Sequence, residues 1–199
     1  MSHGSPWTFL GHKRINEIAT KNNCELIILP VNYGEIFPVT GGLPVNKRSI
    51  QRQKYRLQEL KRWSEFLKIN LNIEPKFFPS KSLLPSLAII SAKILNYGNV
   101  MEIAYKIMEG LWTKQLDIDD ELTLKSIISK IIPTADELID YTNQKIVADE
   151  IKKNTEKALN SQVFGAPTYV IDDQVFWGQD RLDFVERYVK RKISLENIK

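Results

Sequence analysis

The chain has 199 residues, a formal net charge of +4, 43% hydrophobic and 26% charged residues, as expected of a globular protein long enough to bury a sizeable core. Its single cysteine, Cys24, excludes an intramolecular disulfide and a Cys-x-x-Cys redox pair. No apolar run approaches the roughly 18 residues that span a bilayer, and Met1-Ser2-His3-Gly4 lacks the charged and apolar regions of a signal peptide. The expectation is a cytoplasmic protein without a membrane partner. The mild, dispersed positive charge favours small anionic ligands and does not call for nucleic acid. His3 and His12 lack partner ligands in sequence, so no metal site is expected.

The spacing of Phe9, Leu10, Ile15, Ile18 and Ala19 predicts a helix from Pro6 to about Lys21, with Pro6 in the first turn. Glu25 to Val31 is nearly continuously apolar, as expected of a buried parallel strand. Cys24 at its start reads as a small packing residue. Asn32 to Asn46, with Gly34, Pro38, Gly41, Gly42 and Pro44, reads as a loop.

From about Arg48 to Asn160 the pattern turns helical. The first helix gathers Leu57, Leu60, Trp63 and Leu67 on one face, and the basic residues from Lys47 to Arg62 read mainly as its solvated side. Pro75 to Pro79 interrupts, and further helices are predicted over 83–97, 100–115, 120–132, 134–141 and 144–160, with Asp119 and Thr134 as N-caps. Thr168–Ile171 and Gln174–Trp177, joined by Asp172-Asp173, give a hairpin signal. A last helix starts near Asp180, with Leu182, Val185, Tyr188 and Val189 on its apolar stripe. The fold class is α/β, its two α/β ends flanking an all-helical insertion. Trp63, Trp112 and Trp177 read as core or pocket-wall residues.

Three short motifs could carry chemistry, each with a plainer alternative. Ala166-Pro167-Thr168 sets a proline before a strand, where a cis bond would leave Ala166 backbone groups free for an extended peptide; an ordinary trans loop proline competes. Gly178-Gln179-Asp180-Arg181 lies between a strand and a helix, where N–H groups suit a carboxylate and Asp180 an ammonium; Asp180 also reads as a simple helix cap. Ser5-Pro6-Trp7-Thr8 opens the first helix, where the dipole would stabilise a thiolate; an N-cap serine before a proline is the alternative.

Together these motifs resemble the family of 2-hydroxychromene-2-carboxylate isomerases and kappa-class glutathione transferases, relatives of thioredoxin-fold disulfide oxidases. The likeness is carried by Val163-Phe-Gly-Ala-Pro-Thr-Tyr-Val170 and Phe176-Trp-Gly-Gln-Asp-Arg-Leu-Asp-Phe-Val-Glu-Arg187. It extends to Ser5-Pro-Trp-Thr-Phe-Leu-Gly11, and to Gly42-Leu-Pro-Val-Asn-Lys-Arg48 with the helix that follows. The resemblance implies a thioredoxin-like domain made of residues 1–45 plus 161–199, and a helical insertion over 46–160. It implies glutathione as cofactor, with Ser5 beside its sulfur and Pro167 as a cis-proline. The backbone of Ala166 would pair with its cysteinyl part, and Gln179 and Asp180 would hold its γ-glutamyl end. Asn46 would line the thiol and substrate side. From their charge and their place next to Asn46, Lys47 or Arg48 are expected to attract an acidic small-molecule substrate. The implied reaction is isomerisation of an aromatic or conjugated carboxylate by reversible thiolate addition; a kappa-type transferase shares its first half. A homodimer is expected by resemblance only.

One departure stands out. Family members carry an apolar strand directly before the serine-proline pair, and none can be built from Met1 to Gly4. The expectation is a fold whose first, central strand is missing, either because the natural chain is longer or because the strand is lost. Its loss would leave backbone groups of Leu26–Val31 and Thr168–Ile171 unpaired. That opens a second class of reading: a non-catalytic remnant that binds glutathione or a protein.

Overall fold

The computed structural model describes residues 1–196, and the last three residues of the expected C-terminal part lie outside it. Helix α1 (Pro6–Lys21) begins where its motif said it should. The Ser5 hydroxyl accepts from the Thr8 N–H and Pro6 needs no donor partner, so the first turn is capped without a further residue. Its inner face, Phe9 and Leu10, enters a core built from α3 (Ile50–Leu67), α4 (Leu84–Ile94), α5 (Val100–Trp112), α6 (Glu121–Ile128) and α7 (Ala135–Tyr141). Leu60, Ile89, Ile103, Ile107, Met108, Leu111 and Trp112 are fully enclosed there, each side chain of this size gaining about 2–3 kcal/mol from burial. A smaller cluster joins Ile90 to Val147 and Ile151 of α8 (Lys145–Asn160).

The sheet is a hairpin of two antiparallel strands, β1 (Thr168–Ile171) and β2 (Gln174–Trp177), with Thr168 opposite Trp177 and Ile171 opposite Gln174. Asp172 and Asp173 turn it with φ of 46° and 64°, the paired left-handed conformation of a tight hairpin. A 3-10 turn (Gln179–Arg181) then leads into α9 (Leu182–Glu196).

Five local expectations need correction. Glu25–Val31 is extended but joins no sheet among the described residues. An apolar run becomes a buried strand only with a neighbour on its ladder, and here Met1 alone supplies a rung: its ammonium donates to the Leu29 carbonyl at 2.5 Å and its carbonyl accepts from the Val31 N–H at 3.3 Å. Ile27 is consequently 54% exposed, and Cys24, expected to pack, is exposed with its thiol directed to the Asn22 carbonyl. The 32–46 loop contains α2 (Tyr33–Thr40), capped by the Asn32 side chain and closed by Gly41 at φ 73°. Gly34 and Pro38, both inside it, disguised this helix, and of the glycines Gly41 marks its end.

The other two corrections concern charged side chains. Asp120 rather than Asp119 caps α6, accepting from the Thr123 N–H at 2.8 Å. Asp119 instead accepts from the Ser80 hydroxyl at 2.6 Å and the Lys81 N–H at 2.6 Å. On α3, Arg56 departs from the solvated basic face and is only 8% exposed. No helix among the described residues is long and apolar enough to cross a membrane.

Candidate functional site

Three segments far apart in sequence meet at the N-terminus of α1. The Ser5 hydroxyl donates to the Ala166 carbonyl at 3.3 Å while accepting from the Thr8 N–H at 3.3 Å. It therefore sits where the unpaired N–H groups and positive dipole end of α1 act on anything placed beside it. The Ala166–Pro167 peptide is cis. The Pro167 carbonyl accepts from the Gly178 N–H at 2.9 Å, tying this loop to the 178–181 turn. Among the described residues the Ala166 N–H has no partner, so it is open to a ligand's backbone, as strand-addition binding requires.

The wall around these groups is aromatic. Trp7, Tyr55, Trp63 and Trp177 line a cleft of about 320 Å³ together with Glu59, Ala166, Gly178, Gln179, Asp180 and Arg181. Trp177, 51% exposed, lies against Gly165 so closely that a Cβ there would overlap its indole nitrogen. Gly178, at φ 105°, likewise leaves room for the Asp180 carboxylate where any Cβ would stand. Glycine is required at both places, once for close approach and once for conformation.

The 178–181 turn is anchored from α1. Arg14 donates to both the Gln179 carbonyl, at 3.2 Å, and its side-chain oxygen, at 2.9 Å. It also pairs with Asp183 at 3.5 Å. Gln179 is 1% exposed and its amide nitrogen has no partner among the described residues, so its side chain serves as an anchor more than as a free ligand. Asp180 is partly exposed at the cleft and pairs with Arg181 at 3.2 Å. Tyr33 of α2 donates to the Gly165 carbonyl at 2.7 Å, fixing the cis-proline loop from behind. Burial pushes the Tyr33 and Tyr169 phenols well above their usual range, with Arg14 opposing the rise at Tyr169. Both remain donors at neutral pH.

Of the sequence-nominated residues, Ser5, Ala166, Pro167, Gln179 and Asp180 converge. Asn46 does not join them: it is exposed in a 3-10 turn (Val45–Lys47) and is not among the cleft's lining residues. Lys47 is exposed beside it, and Arg48 turns back to donate to the Leu43 carbonyl at 2.8 Å. Arg14, Tyr33, Trp7 and Tyr55 were not nominated. Arg14 and Tyr55 occupy ordinary polar positions of helices, and Tyr33 fell in an apparent loop. A larger hollow of about 620 Å³ lies between α8 and the hairpin turn, away from Ser5.

The chain is similar to known proteins along nearly its whole length. A 2-hydroxychromene-2-carboxylate isomerase of Sphingobium xenophagum is 26% identical over 186 residues, 93% of each chain. One from Pseudomonas sp. (strain C18) is 22% identical over 186 residues, covering 93% of this chain and 85% of its own. The structure of a 2-hydroxychromene-2-carboxylate isomerase superposes with a TM-score of 0.82 at 18% identity, covering 99% of this chain and 95% of that one. The family description that matches, DSBA-like thioredoxin domain, spans residues 2–190, and the chain belongs to that family.

Proposed function

We propose that this protein is a glutathione-dependent isomerase acting on an aromatic or conjugated carboxylate; the names of its relatives support the isomerase activity and the carboxylate substrate. The observation that carries the reading is the meeting of Ser5 with the Ala166–cis-Pro167 peptide beside an aromatic cleft. Thr8 and Ser5 stand where a redox enzyme would need thiols, so the nucleophile has to arrive from outside the chain. When bound, glutathione supplies a thiolate able to add reversibly to a conjugated double bond, leaving a single bond that rotates.

The residues present fit such a peptide. The free Ala166 N–H and its carbonyl offer one donor and one acceptor to an extended backbone. The 179–181 turn at the start of α9 offers N–H groups to a carboxylate, and Asp180 an anion to an ammonium group. Ser5 can turn its hydroxyl from the long Ala166 bond toward a sulfur, and with the α1 dipole favour the charged thiolate. Lys47 and Arg48 would draw an acidic substrate. The same groups would serve a kappa-type transferase, which differs in releasing the conjugate.

Turnover of 2-hydroxychromene-2-carboxylate, followed by absorbance with and without glutathione, tests the reading. Isomerisation that requires glutathione and falls on Ser5→Ala substitution supports it. Equal rates without glutathione would overturn it.

A further inference from the structure

Beneath the cleft wall formed by α3 lies a cationic position that no ion pair explains. Arg52, Arg56, Tyr55, Glu59 and Trp63 fall on one side of α3, since three- and four-residue steps return to the same face, and Arg48 lies just before the helix. Tyr55, Glu59 and Trp63 line the cleft. Arg56 turns inward and places its guanidinium 4.9 Å from the Phe78 ring centroid and 5.9 Å from that of Trp112. Among the described residues, neither Arg48, Arg52 nor Arg56 forms an ion pair.

Two buried donors in this cluster are orphaned. Arg56 Nη2 and Trp112 Nε1 each lack a hydrogen-bond partner among the described residues, although Arg56 is 8% exposed and Trp112 fully buried. A buried unsatisfied donor is costly, and a buried guanidinium more so. Cation–π contact offsets only part of that cost. Burial and the neighbouring Arg48 push the Arg56 guanidinium down to about 10, against the opposing influence of Glu74, so it still carries its charge at neutral pH. A cation held against the contacting Phe78–Trp112 pair, one of whose rings carries a second unused N–H, calls for an anionic planar acceptor.

We propose that Arg56 and Trp112 hold the carboxylate of the acceptor, with Arg56 Nη2 and Trp112 Nε1 donating to its oxygens and Phe78 packing against its unsaturated body. Arg52, one turn before Arg56 on α3, and Arg48, just before the helix, steer the anion inward. This deepens the isomerase reading and rests on it, because it names the residues that recognise the substrate's acid group. It assigns a binding role to a residue whose sequence position suggested mainly a solvated helix face.

The test uses trans-cinnamate as probe and cinnamamide as its uncharged counterpart, titrated against the whole protein by tryptophan fluorescence. Cinnamate is expected to bind at least about tenfold more tightly than cinnamamide, matching a hydrogen bond to a charged group. Arg56→Met, which keeps the apolar stem, is expected to weaken cinnamate by about 10–100-fold and leave cinnamamide nearly unchanged. Arg56→Lys is expected to recover part of the loss. Cinnamate affinity unchanged in Arg56→Met overturns the proposal and leaves the orphan donors to buried water. Should that variant not fold, Trp112→Phe decides: an affinity loss of about fivefold supports the assignment, and no loss overturns it. Glutathione titrated against the same variants is expected to bind as it does to wild type. Its failure to bind any of them would sink the cofactor reading without touching the cinnamate result.

Discussion

The Ser5 hydroxyl meets the Ala166 carbonyl at 3.3 Å across 161 positions of sequence. This contact joins the N-terminus of α1 to the cis-proline loop, the two parts that must act on one ligand. At 3.3 Å it is long for an O–H···O bond, so the hydroxyl gives up little when it turns toward something else. Substituting Ser5→Ala removes both this bond and the α1 cap. The expected cost in stability is about 1 kcal/mol, roughly 2–4 °C in Tm. The expected cost in kcat is about 100-fold, with glutathione affinity changed less than about threefold. A matched loss of affinity with no effect on kcat would assign Ser5 to binding alone.

Gly165 and Gly11 predict opposite kinds of damage. A Cβ at Gly165 would displace Trp177 from the cleft wall, so Gly165→Ala should shift tryptophan emission and weaken ligand binding. A Cβ at Gly11 would come 2.7 Å from the Tyr169 hydroxyl and 2.9 Å from the Gln179 Cβ. Gly11→Ala should therefore destabilise by about 1–3 kcal/mol through overpacking, read by denaturant unfolding.

Arg14 acts through Gln179. Replacing Arg14 by Met removes two hydrogen bonds to the 178–181 turn and leaves the buried Gln179 oxygen unpaired. The expected result is a rise of about tenfold in the glutathione Kd with little change in kcat at saturation. A fall in kcat with unchanged Kd would contradict a positioning role.

Acid sensitivity follows from His3. Ser80 spends its proton on Asp119, so it accepts from His3 Nε2 at 2.9 Å, and His3 Nδ1 then accepts from Ser86 at 2.8 Å. That network fits only the neutral ring, and burial lowers its pKa from 6.5 to about 4, with Asp119 opposing and the N-terminal charge assisting. Burial also lowers the Met1 ammonium from 8.0 to about 5. In both cases the unfolded chain binds the proton first, so stability is full above the unfolded pKa and falls as pH drops toward the folded one. For His3 the window runs from 6.5 to about 4, and the loss is on the order of 3 kcal/mol. Urea midpoints measured across this range should decline in wild type and flatten in His3→Gln.

Much of this fold was legible because local signals agreed. The α1 cap at Ser5-Pro6, the Asp172-Asp173 turn and the stripe of α9 each combined a terminus signal with periodicity. Glu25–Val31 misled because apolar continuity reports burial, whereas a strand also needs a neighbour. Arg56 misled for the reverse reason: charge type predicts exposure, yet aromatic rings from Phe78 and α5 close over it. In the site, Ser5, Ala166, Pro167, Gln179 and Asp180 were legible as motif positions. The anchoring by Arg14 and Tyr33 was not, because long-range hydrogen bonds leave no periodic trace.

The measurement that bears most directly on the account is the thermal shift given by glutathione, in wild type and in Asp180→Ala. A ligand at a hundredfold excess over its Kd stabilises by about 2.7 kcal/mol, roughly 5–10 °C for a chain of this size. Wild type should show that shift, and Asp180→Ala should need about tenfold more glutathione to reach it. No shift in wild type at any glutathione concentration would contradict the account.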